Sequence, residues 1–212
     1  MNEINEKEVL SEEVITFVKL AAAYCGLVEQ DGKRSRREWF EELRDLLAGL
    51  YVQALRLPRV EAVSDEGNQK FVTEEEYNHV MQHVRRKAGQ WDEYPEVYDP
   101  EDPIEELDIT ARISEDCADI YQDMKDFITL YHVGNYEVMN DALWEVRENF
   151  ERLWGQKLLN VLRTIHRLLT HADLTEEEEE EEPPATTQRD TSEWFITRRQ
   201  QEWGDGKTKD EG

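Results

Sequence analysis

From Val138 to Leu169 the apolar residues Val138, Leu143, Val146, Phe150, Leu153, Trp154, Leu158, Val161, Leu162, Ile165 and Leu169 recur at helical intervals, with no proline among them. A stripe of that length is one face of a helix, and a helix can bury it only against other helices. Gly155, inside the stripe, predicts a kink.

The rest of the chain supplies the partners. Ser11, with Glu12 and Glu13 behind it, predicts a helix start, and Val14, Phe17, Val18, Ala21, Cys25 and Val28 keep helical spacing after it. Ser35 and Glu38, then Thr73 and Glu76, have the S-x-x-E spacing of a capping box. They open a second helix that ends before Pro58 and a third that ends near Gly89. Residues 90–109 contain Pro95, Pro100 and Pro103 and cannot be one helix; their aromatics Trp91, Tyr94 and Tyr98 are expected to fold back onto the surface. A fourth helix follows, with Ser114 as its expected cap, and His132-Val133-Gly134-Asn135 reverses the chain into the fifth. No strand-like alternation stands out. The expected architecture is therefore all-α: an antiparallel bundle of about five helices over residues 10–172.

Beyond Ala172 the composition changes. Glu176 to Glu182 repel one another and lead into Pro183-Pro184, the pattern of a disordered acidic linker over 173–190. Residues 191–212 then bring Trp194, Phe195, Arg198 and Trp203 into a short segment that the cap-like Asp190-Thr191-Ser192 allows to be helical. Large aromatics and arginine after such a linker suit a recognition peptide, binding in cis or in trans.

Charge narrows the function. Residues 1–172 hold 36 acids against 20 bases, and the net charge of the whole chain is −25. Such a field repels nucleic acid and anionic membrane and favours a protein partner with a basic surface. The basic runs Lys33–Arg37 and Arg85–Lys87 are too short for a nucleic-acid surface and could instead receive the acidic tail. The N-terminus, MNEINEKEVLSEE, has none of the features of a signal peptide, and no apolar run approaches the roughly 20 residues of a membrane span, so a cytoplasmic protein is expected. Cys25 and Cys117 are read as reduced core thiols.

The stretch ISEDCADIYQDMKDF, Ile113 to Phe127, poses the sharpest question, because Asp116, Asp119, Asp123 and Asp126 recur as metal ligands on a helix would. On a wheel they oppose Ile113, Cys117, Ile120, Tyr121, Met124 and Phe127, which predicts a solvated face, partly paired with bases of the last helix near Asn149 and Arg152. With 50 acids in 212 residues, chance alone supplies about a dozen acidic i,i+3 pairs. Glu76-x-x-His79 lacks the second copy a di-iron site requires, and His79 with His83 reads as an exposed polar pair. No phosphate loop or paired Cys-x-x-Cys is present. The expectation is thus a non-enzymatic interaction or regulatory module, monomeric or homodimeric, with no cofactor. It would bind through Asp116, Asp119, Asp123, Asp126 and the aromatic tail. The alternative is an all-α metal-dependent hydrolase using carboxylates of the Glu115–Asp126 helix.

The segments FVKLAAAYC, LLAGLYVQALRLP, FVTEEEYN, ISEDCADIYQDMKDF and ENFERLWGQKLLNVLR together resemble a bacterial helical family known as a domain of unknown function (DUF5063), over roughly Val14 to His166. The resemblance implies a helical, cytoplasmic, bacterial domain and brings no activity, cofactor or catalytic residue with it.

Overall fold

In a computed structural model, which describes residues 6–30, 32–64, 67–95 and 110–174, both S-x-x-E signals close as complete capping boxes. Ser35 Oγ accepts from the Glu38 amide while the Glu38 carboxylate accepts from the Ser35 amide, and Thr73 and Glu76 do the same. The helices are α1 (Glu6–Val9), α2 (Glu12–Glu29), α3 (Arg36–Ala54), α4 (Glu74–Ala88), α5 (Ile113–His132), α6 (Tyr136–Asn149) and α7 (Gly155–His171). A π-helical turn, Phe150–Trp154, joins α6 to α7 without a break, so five long helices make the bundle expected from the spacing. The chain divides into two units, Met1–Glu176 and Glu177–Gly212; the second lies outside the described residues.

Helix α5 is the centre. It packs against α2, α4, α6 and α7, and no residue from Ile113 to Tyr131 is exposed. Around it sits an aromatic core. Phe17 meets Phe127 edge-on at 5.3 Å between ring centroids, and Phe150 lies 4.7 Å from Trp154. Trp154 is fully buried and donates its indole N–H to the Val146 carbonyl at 3.0 Å, so its one polar atom is satisfied in the dry interior. Cys25 and Cys117 are free and buried.

Several local expectations change. Ser11 precedes α2 but makes no side-chain cap bond. Ser114 lies inside the first turn of α5, and the cap is Asp92, whose carboxylate accepts from the Ser114 amide and hydroxyl at 2.8 Å each. Two three-residue strands, β1 (Glu93–Pro95) and β2 (Thr110–Arg112), pair antiparallel. They are too short to show alternation in sequence, and they bring Tyr94 back onto the bundle, where it is buried. Gly155 does not mark a simple kink: the π turn brings the Phe150 carbonyl against it, and an added Cβ would also lie 2.9 Å from the Phe150 ring. The basic runs are partly structural. Arg36 Nε donates to the Lys87 carbonyl at 3.0 Å and Arg37 to the Leu169 carbonyl at 3.5 Å, placing positive charge at the C-terminal ends of α4 and α7. Among the described residues no helix is long and apolar enough to cross a membrane.

Candidate functional site

The chemistry-bearing residues gather along α5 in two clusters. In the first, Asp116 and Asp119 lie one turn apart and face α7. Lys157 Nζ sits between them, 3.0 Å from Asp116 Oδ1 and 2.7 Å from Asp119 Oδ2. Tyr94, from β1, donates its hydroxyl to Asp116, and Tyr77, from α4, donates to Asp119 at 2.7 Å. Burial raises the Asp116 carboxyl above the usual range against the pull of Lys157 and the Tyr94 bond. Burial works against the Lys157 charge too, but Asp119 and Asp116 outweigh it and hold the ammonium above the ordinary lysine value. A lysine held charged in this way is neither a nucleophile nor a base.

The second cluster lies where α5 meets α6. Asn149 donates to Asp123 at 2.6 Å. Asp126 Oδ1 accepts from the backbone amides of Phe71 and Val72 at 2.8 and 3.2 Å. Lys70 Nζ lies 2.8 Å from Glu145 and 3.7 Å from Asp126. Burial pushes the Asp123 carboxyl up to about 6, with the Asn149 bond and Lys70 opposing. Asp126 is raised by burial against its two amide bonds and Lys70. Nearby, Asp141 accepts from the Val63 and Ser64 amides at 2.8 and 2.9 Å, so acids of α5 and α6 fasten the connection between α3 and α4.

Burial overturns the solvated-face reading for Asp116 and Asp126, whereas Asp119 and Asp123 are half-buried and paired. Asp116 is 7% exposed and Asp126 2%. All four carboxylates accept hydrogen bonds from within the fold. The physical reason is the central position of α5: with helices on several sides, its polar face loses much of its water and is matched by protein donors. The register with the last helix also differs from expectation. Asp123, not Asp119, pairs with Asn149, and Lys157, not Arg152, serves Asp116. The offset is about one helical turn.

The other candidates resolve by burial. His83 is 1% exposed while His79 is exposed, so they do not form one wet face. Glu76 is engaged in the capping box of α4. Burial raises the Cys117 thiol, and that of Cys25 to about 12, far from a thiolate nucleophile at neutral pH. Among the described residues no three His, Cys, Asp or Glu side chains are grouped to hold a metal ion. Trp194, Phe195, Arg198 and Trp203 lie outside the described residues.

Lys157, Lys70, Tyr77, Tyr94 and Asp92 are the partners sequence reasoning did not assign. Lys157 carried a signal, since it stands in a stretch from Arg152 to Ala172 that contains no acid.

The model of one protein family, described as a domain of unknown function (DUF5063), matches residues 8–171. A crystal structure of protein BF1032 from Bacteroides fragilis is 34% identical, with a TM-score of 0.67, and the match covers 84% of this chain and 99% of that one. No curated protein matches the chain.

Proposed function

This chain belongs to the DUF5063 family, and we propose that it works as a binding module for a protein with a basic surface rather than as an enzyme. The observation that carries the reading is the fate of the α5 carboxylates. Each cluster contains its own lysine, Lys157 between Asp116 and Asp119, and Lys70 between Asp126 and Glu145. The place a catalytic cation would take in either cluster already holds an ammonium group, and a divalent ion would have to displace it.

The charge available to a partner is then on other helices. Glu12 and Glu13 at the start of α2, and Glu74 and Glu75 at the start of α4, are exposed. They add to the acidic run Glu176–Glu182 and the segment bearing Trp194, Phe195, Arg198 and Trp203. Exposed carboxylates on rigid helices suit electrostatic steering of a basic partner, and the aromatics suit anchoring it.

Capture from the native lysate at low and moderate salt, with the full chain, a chain ending at Ala172 and a full chain carrying Glu12, Glu13, Glu74 and Glu75 as Gln, tests the reading. A salt-sensitive partner lost by either altered chain supports it. A partner indifferent to salt and to both changes overturns it, as does a rise in melting temperature with Mg²⁺ or Mn²⁺ that vanishes in Asp119→Asn.

A further inference from the structure

Asp126 has an oxygen left over. Its Oδ1 takes the Phe71 and Val72 amides, whereas Oδ2 is buried and has no hydrogen-bond partner. Lys70 Nζ is near, but 3.7 Å is beyond hydrogen-bond reach. A buried acceptor left unmet costs about 1–3 kcal/mol, and more when charged. The oxygen belongs to a carboxylate lining a cavity of about 10 Å³, walled by Lys70, Asp123, Asp126 and Glu145 on its polar side and by apolar side chains, Ala142 among them, on the other. That volume admits one water and nothing larger, and the polar wall supplies the two to four partners a buried water requires.

We propose that this cavity binds a single water molecule that donates to Asp126 Oδ2 and links it to the Asp123 carboxyl, so that the two aspartates hold one proton between them and release it together. The charged and titratable groups facing Asp123 are Asp126 on its own helix, Glu145 from α6 and Lys70 from the connection between α3 and α4; Asn149 of α6 donates to it. With the proton bound, one negative charge is shared by the pair while Lys70 neutralises Glu145. When the proton leaves to bulk water, two adjacent carboxylates and Glu145 stand against one ammonium. The hold of Asp126 on the Phe71 and Val72 amides is therefore linked to the proton, and the connection they belong to reports its loss.

The test is carbon NMR of the Asp123 and Asp126 carboxyls, with the Phe71 and Val72 amides, in the full-length protein from about pH 4 to about pH 8. The expected result is one shared midpoint at all four positions, above the ordinary carboxyl range because burial raises both aspartates, and a water cross-peak to the Phe71 or Val72 amide. Asp123→Asn removes the midpoint from the other three. Ala142→Val fills the cavity, removes the cross-peak and separates the two aspartates. Should Ala142→Val fail to fold, the wild-type titration decides alone. Asp123 and Asp126 titrating independently, or amides that ignore the midpoint, or a cavity with no water signal, would each overturn the proposal.

Discussion

Lys157→Met removes one ammonium and keeps most of the side-chain volume. Lys157 makes both ion pairs of the first cluster, 2.7 Å to Asp119 and 3.0 Å to Asp116, and its side chain is 39% exposed against 9% for Asp116. Breaking a buried pair from one side costs roughly 3–5 kcal/mol, because the other charge stays behind without compensation. Partial exposure of the lysine lowers that to about 2–3 kcal/mol. For a protein of this size the melting temperature should then fall by roughly 5–10 °C. The loss should depend on pH in one direction. Asp116 is already raised in the folded state by burial, so the stability it contributes is present at low pH and is lost as pH rises through its folded value. Without Lys157 that value climbs further, and the deficit grows toward neutral pH. Urea unfolding at about pH 7 and about pH 4, followed by fluorescence of the buried Trp39 and Trp154, reads both effects. Adding Asp116→Asn to the variant removes the stranded charge and should return at least about 1 kcal/mol at neutral pH. A loss that is equal at both pH values and unrelieved by Asp116→Asn would refute the network as the source of the stability.

Three further perturbations separate the remaining claims. Gly155→Ala, which in an ordinary helix stabilises by up to about 1 kcal/mol, should here destabilise by roughly 1–3 kcal/mol because the new methyl meets the Phe150 carbonyl and ring; a higher melting temperature would show that the π turn relaxes freely. Asp123→Asn should stabilise at neutral pH by up to about 3 kcal/mol, since a carboxyl moved from 3.8 to about 6 disfavours the folded state above that window, and the gain should vanish below about pH 4. Asp92→Ala leaves the Ser114 amide and hydroxyl without their acceptor and should lower stability by about 2 kcal/mol in urea, with Asp92→Asn recovering part of it.

The five long helices were legible because their signals are local. Capping boxes at Ser35 and Thr73, apolar residues at helical spacing and Gly134 at φ 76° each act within a few residues. The position of α5 was not, because a helical wheel measures the contrast between two faces and says nothing of what covers the polar one. The partners that cover it come from far along the chain: Tyr77 and Tyr94 before it, Asn149 and Lys157 after it. Short elements escaped for a related reason. β1 and β2 have three residues each, and what fixes them in place is the Asp92 and Tyr94 contact with α5 rather than any pattern of their own.

A signal for the buried face was nonetheless present in the choice of acid. Glutamate is the better helix former, since aspartate competes for the backbone with its short side chain, and the exposed helical acids here are largely glutamates, such as Glu12, Glu13, Glu74 and Glu75. Among the described residues, aspartate occurs at six helical positions: Asp45, Asp116, Asp119, Asp123, Asp126 and Asp141. All but Asp45, which pairs with its neighbour Arg44, accept hydrogen bonds from another element. A short carboxylate has fewer rotamers to lose and keeps its oxygens close to its own helix, where a neighbouring amide, hydroxyl or ammonium can be set against them at fixed distance. Aspartates at three- and four-residue spacing in a chain that otherwise uses glutamate on its helices therefore mark a helix fastened on its polar side, and in this protein they identify the central helix.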